Sequence, residues 1–403
     1  MLPKLIKAIK AKKILFIVVS FKILKTNIRG LNKSQLKKTI KKQHKRLRKF
    51  ALISIFMFDM RRKKAGLKDL AEHLGVSVST VSRSLKDHPD ISESTKARVK
   101  QLAQELNYTP NLVAQSFRNQ KSNLIGVIVP NISHDFTSRM LKGILDEGES
   151  NGFRVIILES NNSDSKQRDI LKTMINLNVD GILMALCRRT TSVDFIIEII
   201  NTIPLVLFDK VSDKIPCSQV VIDDEFAAYH AVEHLINIGK KRIAIIKETE
   251  NSYNSEKRFQ GYKKALIEHN LPIDEKIILS TEDISYEKGR HMGNYLVSLK
   301  NRPDGLFSIA DSAAIGAIKA FQQNGLNIPN DIAVVGFSNS QKCKFITPEL
   351  SSIDQPGDQI GRVAMQTLTN EISINRDMPI VKTIEIKTNL KIRGSSLFHQ
   401  NLR

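Results

Sequence analysis

Apolar positions along the chain fall into two regimes. From Leu67, apolar residues recur at helical intervals: Leu67, Leu70, Ala71 and Leu74, then Val78, Val81 and Leu85. From Leu124 onward, short continuous apolar runs alternate with helical stretches. The strand-like runs are Leu124–Val129, Phe153–Leu158, Gly181–Leu186, Leu205–Phe208, Val220–Ile222, Arg242–Ile246, Gly305–Ile309 and Ile332–Gly336. Helical periodicity separates most of them, as over Met140–Glu149, Phe226–Ile238 and Ala313–Asn324. Continuous apolar strands joined by helices predict an α/β fold with parallel sheets covered on both faces. About 270 residues of this pattern suffice for two lobes.

The earlier segment predicts a pair of short helices with a tight turn between them. Gly75 can take the positive φ that the turn requires, and Ser77 can cap the second helix. Ala71 is small where the helices cross, and Val81 and Leu85 point back at the first helix. The outward face of the second helix carries Val78, Ser79, Thr80, Ser82 and Arg83. Short hydroxyls beside one Arg suit a major-groove helix: hydroxyls reach phosphate oxygens, and Arg can donate twice to guanine. A third helix is predicted from Ser92, with Ala97, Val99, Leu102, Ala103 and Leu106 on its apolar side.

The formal charge of +21 is unevenly placed. Residues 1–64 hold 21 Lys and Arg against a single acid, Asp59, so the remainder is nearly neutral. The apolar runs Ile14–Phe21 and Phe50–Phe58 fall well short of the ~20 residues of a membrane span, and no small-residue cleavage site follows the first. Residues 1–60 are therefore read as a basic leader, either a mis-assigned start preceding Met57 or Met60 or a disordered tail. No membrane partner is expected.

Cys187, Cys217 and Cys343 make an odd count without CxxC spacing, which fits a reducing cytoplasm and neither a disulfide framework nor a zinc site. GxGxxG, GxxxxGK[ST] and GxSxG motifs are absent, so neither a cofactor nor an enzyme activity is expected.

Leu67–Leu85, the start Asp90-Ile-Ser92, and Leu106-Asn-Tyr108-Thr-Pro110-Asn111 together closely resemble the lactose/purine-repressor (LacI-type) family. The resemblance continues through Asn123-Leu-Ile-Gly126 and returns at Asp331-Ile-Ala-Val-Val-Gly336-Phe337 and Thr347–Pro356. It implies an all-α helix-turn-helix domain at 65–109, a hinge helix at 110–122, and a periplasmic-binding-protein-like effector domain of two parallel-sheet lobes at 123–395. Each lobe would be discontinuous in sequence. The expected protein is a homodimeric, cytoplasmic transcription regulator that binds a pseudo-palindromic double-stranded operator and answers to a small molecule, a sugar or sugar derivative. Its DNA contacts would be Ser77, Val78, Ser79, Thr80, Ser82 and Arg83, with Asn111, Ala114 and Phe117 from the hinge. Phe117 stands where the family usually has a leucine wedge.

The resemblance also places Phe136, Asp209, Arg258 and Asp311 around the effector. Asp209 and Asp311 close apolar strands, and Arg258 is read as opening a helix. Carboxylates and an Arg around an apolar cleft suit a polyhydroxylated ligand. Two departures bear on ligand identity: His134-Asp135 replaces a frequent Asn-Pro, and Ser338 replaces a frequent Asp. The rival readings are a transporter's sugar-binding protein, which would lack Leu67–Leu85, and a sugar-processing enzyme, which would need a catalytic constellation.

Overall fold

The computed structural model describes residues 66–106, 108, 121–249, 253–373 and 381–397. The basic leader and the hinge residues Asn111, Ala114 and Phe117 lie outside them. The chain divides into two compact units, residues 1–112 and 113–403. Among the described residues no helix is long and apolar enough to cross a membrane.

In the first unit, α1 (Leu67–Leu74), α2 (Val78–Leu85) and α3 (Glu93–Glu105) enclose a small core. Leu70, Val81 and Val99 are fully buried, with Ala71 and Ala103 beside them. Gly75 ends α1 in the left-handed region at φ 66°, where a Cβ would be strained. Ser77 caps α2: its Oγ accepts from Thr80 N at 3.1 Å. Ser92 caps α3 in the same way, from Thr95 N at 3.4 Å. Ala97, read from sequence as apolar-side, is exposed, and Lys96 is buried in its place. Lys96 shares a face with Val99 and Ala103, so its methylene stem packs inward while its ammonium reaches Glu93 at 2.7 Å.

The second unit contains two six-stranded sheets. The first has the order β11-β5-β4-β3-β1-β2, built from β1 (Leu124–Val129), β2 (Arg154–Glu159), β3 (Gly181–Met184), β4 (Leu205–Phe208), β5 (Gln219–Val221) and β11 (Thr383–Glu385). The second has the order β12-β10-β9-β8-β6-β7, from β6 (Ile243–Glu248), β7 (Ile278–Thr281), β8 (Gly305–Ser308), β9 (Ala333–Phe337), β10 (Ser351–Asp354) and β12 (Asn389–Lys391). All pairings are parallel except β10 with β12. The chain leaves the first sheet after β5, returns after β10, and ends with one strand in each, so both lobes are discontinuous.

Helices α4 (Asp135–Ser150), α5 (Asp164–Asn176), α6 (Val193–Ile200) and α11 (Gly357–Ser373) belong with the first sheet. Helices α7 (Asp224–Asn237), α8 (Tyr253–Glu268), α9 (Tyr286–Ser298) and α10 (Asp311–Gln323) belong with the second. They pack in close pairs, α4 on α11, α7 on α8 and α9 on α10. Glycines permit this approach: a Cβ on Gly361 would lie 2.0 Å from Met140 O, and one on Gly316 would lie 2.1 Å from Tyr286 O.

The four strands without a strong sequence signal are β7, β10, β11 and β12. Ser351 and Ser352 are buried in β10, and β11 and β12 are half-exposed edges. None of these presents the continuous apolar run that marks a central parallel strand.

Candidate functional site

Parallel strands of both sheets end at one cleft of about 190 Å³. Pro130 and Asn131 follow β1, Asp209 and Lys210 follow β4, and Glu248 ends β6. Ile309, Ala310 and Asp311 follow β8, Ser338 follows β9 and Gln355 follows β10. This is where open α/β sheets hold ligands, because strand ends and helix starts present their polar groups there.

All four residues expected around the effector line this cleft: Phe136, Asp209, Arg258 and Asp311. Their local settings differ from the sequence reading in two ways. Arg258 lies in the second turn of α8, which begins at Tyr253, and does not open that helix. The helix start was missed because its first residues, Tyr253 to Lys257, have no apolar periodicity. Asp311 is the first residue of α10 as well as the end of a strand connection.

Arg258 and Asp311 are both buried and both engaged. Arg258 Nε donates to Asp224 Oδ1 at 2.7 Å, and its Nη1 donates to Ile309 O at 2.8 Å. Its guanidinium carbon stands 3.7 Å from the Phe337 ring centroid, a close cation–π contact. Burial pushes the Asp224 carboxyl up to about 6, even with Arg258 beside it. Asp311 Oδ2 accepts from Ser340 N at 2.7 Å, and Oδ1 accepts from Ser352 Oγ at 2.6 Å. Burial raises the Asp311 carboxyl too, against those hydrogen bonds. Asp311 thus fixes the loop after β9 as part of the cleft wall.

Asp209 takes φ 58° and receives Lys210 Nζ at 3.1 Å. Asn254 Nδ2 reaches Asp209 O at 3.3 Å and Asp224 Oδ2 at 3.0 Å. Those bonds fix the Asn254 amide, leaving its buried Oδ1 without a partner. Asn162 Oδ1 and Gln355 Nε2, also in the cleft wall, are likewise buried and unpartnered among the described residues. Unsatisfied buried polar atoms are costly, so their convergence on one cavity points to a polar ligand. A wider depression of about 370 Å³ between α7 and residues 388–390 collects none of them.

The lobes also touch directly at this cleft. Arg188, after β3, pairs with Glu248 at 2.8 Å, and Arg139 of α4 donates to Ser338 O at 2.6 Å. Sequence reasoning missed Arg188, Lys210, Asp224, Asn254 and Gln355. Lys210 had a usable signal, standing beside the strand-ending Asp209; the others did not.

On the helical unit, the outward face of α2 is as spaced in the sequence. Val78, Ser79 and Arg83 are exposed, and Thr80 and Ser82 are half-buried. Ser77 Oγ is engaged locally, with Ser79 Oγ at 2.7 Å and Thr80 Oγ1 at 2.8 Å as well as its cap bond.

Residues 122–393 match the family described as periplasmic binding proteins and sugar binding domain of LacI family, and residues 66–111 match bacterial regulatory proteins, lacI family. The chain belongs to the LacI family. It is accordingly a DNA-binding transcription regulator controlled by a small-molecule effector, in a family of regulators and not of enzymes. A transporter-type binding protein is disfavoured by the match over residues 66–111.

Among curated relatives, catabolite control protein A of Priestia megaterium is 32% identical over 81% of this chain and 98% of its own length. The HTH-type transcriptional repressor PurR of Yersinia pestis is 30% identical over 82% and 96%. Among solved structures, a lac repressor dimer bound to operator and an anti-inducer aligns with TM-score 0.76 at 24% identity. That alignment covers 83% of this chain and all of the repressor chain, and speaks to the fold.

Proposed function

We propose that this LacI-family regulator acts in the cytoplasm as a homodimeric repressor. It would hold a pseudo-palindromic operator and release or grip it when a sugar derivative enters the cleft between the lobes. The reading is carried by the cleft, which strand ends from both sheets form and whose wall includes three residues with an unpartnered buried amide atom.

Each residue then has a physical role. Arg83 would read a guanine edge, Ser79, Thr80 and Ser82 would reach phosphates, and Val78 would supply an apolar contact to a base. Ser77 would act mainly by capping α2. Asn111, Ala114 and Phe117 would form the hinge contact, with the Phe117 ring entering the central base step. The domain limits would be 65–109, 110–122 and 123–395. Phe136 would pack on the effector, Asn254 Oδ1 would receive a hydroxyl hydrogen, and Asp209, Arg258 and Asp311 would hold the walls. Effector binding would change the lobe arrangement in proportion to its differential affinity for the two states.

The test is selection of bound fragments from random DNA at one fixed salt concentration, followed by anisotropy titration against a panel of sugars and sugar derivatives. The expected result is a two-fold symmetric consensus whose affinity responds to some members of the panel. Recovery of no symmetric sequence, or of one indifferent to the whole panel, would overturn the reading.

A further inference from the structure

A sugar whose hydroxyls donate to carboxylates is the ligand suggested by residue types alone. In the folded cleft, however, the carboxylates already have donors from the protein. Asp135 receives Gln341 N, Asp209 receives Lys210 and Asn254, Glu248 receives Arg188, and Asp311 receives Ser340 and Ser352. Unspent capacity is of both kinds: Asn162 Oδ1 and Asn254 Oδ1 are acceptors left for hydroxyl hydrogens, and two donors are left as well. Lys342 is exposed in the cleft wall, and its ammonium has no partner among the described residues. Gln355 is 1% exposed; its Oε1 receives Ser338 Oγ at 2.8 Å while its Nε2 has no acceptor.

Two helices also begin at this cleft. His134 and Asp135 start α4, and Ala310 and Asp311 start α10, and all four line the wall. Neither helix has a side-chain cap, so first-turn N–H groups and the positive end of each helix dipole remain on the cleft side. The acids of these first turns, Asp135 and Asp311, are drawn off to the loop after β9. At the start of α4, burial first and then the charges of Lys210 and Arg188 disfavour the protonated form of His134, with Asp283 and Glu248 opposing. A cavity with spare donors, two uncapped helix starts and a buried unpaired amide N–H is complementary to an acceptor-rich group.

We infer that the effector carries an anionic group, a carboxylate or a phosphate, on a polyhydroxylated skeleton, with the anion bound by Gln355 Nε2 and the Lys342 ammonium, and with hydroxyls donating to Asn162 Oδ1 and Asn254 Oδ1. This rests on the proposed function in taking the cleft as the effector site. The sequence alone pointed the other way, because it counted Asp209 and Asp311 as open acceptors.

The experiment is calorimetry and thermal shift on the full chain at constant ionic strength. The probes are inorganic phosphate and matched sets of a hexose, its uronic acid and its 6-phosphate. The expected result is that an anionic member binds at least about tenfold tighter than its neutral parent, as a charge-assisted hydrogen bond warrants. That advantage should shrink severalfold in Lys342→Gln and return in Lys342→Arg. The preferred member of a set, acid or phosphate, identifies the anion. Neutral hexoses binding as well as their anionic forms, or no anionic probe binding at all, overturns the anion assignment. A Ser312→Phe variant, which fills the cleft, keeps the two readings separate. Neutral-sugar binding that this variant abolishes leaves the cleft standing and the anion refuted, whereas binding that survives in it refutes the cleft itself.

Discussion

Arg258 and Asp224 form a buried ion pair across α8 and α7, with Nε and Oδ1 2.7 Å apart and the guanidinium laid over the Phe337 ring. Each charge is tolerated because the other is present. Truncating one leaves the other buried and unpaired, a loss of about 3–5 kcal/mol. Arg258→Ala is therefore expected to lower folding stability by that order, besides any effect on the effector. Urea unfolding monitored by circular dichroism checks it; an unchanged midpoint would mean that Asp224 rehydrates or takes a proton without cost.

The same pair sets a pH dependence. The Asp224 carboxyl is raised from an ordinary value of 3.8 to about 6 in the fold, first by burial. The folded chain therefore keeps a proton that the unfolded chain loses between these values. Its contribution to stability is greatest below pH 4, declines as pH rises from about 4 to 6, and is flat above. Asp224→Asn should remove that decline, so the difference in stability between parent and variant should change across this window. A constant difference from pH 4 to 7 would count against a raised carboxyl.

Helix pairing in the first lobe depends on Gly361, whose missing Cβ leaves room for Met140 O. Gly361→Ala would force α4 and α11 apart. Overpacking of this kind costs about 1–3 kcal/mol, despite alanine's better helix propensity. Thermal unfolding should show the loss, and a raised melting temperature would show that the two helices can separate freely.

On α2, Arg83 is the exposed side chain able to grip a guanine twice. Arg83→Ala is expected to cost about 1–3 kcal/mol at one symmetric base pair of each half-site. Competition between operator and random DNA at fixed salt measures this. An equal loss on both would make Arg83 a phosphate contact only.

Asp311 illustrates how a residue type can be right in place and different in role. Its position at the cleft was legible, but its carboxylate serves Ser340 N and Ser352 Oγ. Asp311→Ala should release the loop that carries Lys342 and should cost stability of about 1–3 kcal/mol through the abandoned buried donors. Faster amide hydrogen exchange at Ser340 would report it. Unaltered protection there would show that the loop is held by other contacts.

The sequence by itself determined whatever depends on local periodicity and on backbone chemistry. Gly75, Ser77 and Ser92 placed the turn and two caps of the helical unit, and the continuous apolar runs placed the central strands. These signals survive because one residue's conformational preference, or one face's burial, is enough to produce them. The same logic failed at Ala97 and Lys96, where the helical angle, not polarity, decided which stem packed inward. It failed again at Ser351 and Ser352, whose burial depends on hydrogen bonds to Asp311, Arg393, Ser395 and Ser396, all at least 40 positions away. Only the tertiary structure decided which polar atoms of the cleft were already satisfied. Asp224 beside Arg258, Ser352 beside Asp311 and Arg188 beside Glu248 lie 34, 41 and 60 residues away, on other parts of the chain. Hydrogen-bond satisfaction is a sum over neighbours in space, and no single residue's identity carries that sum.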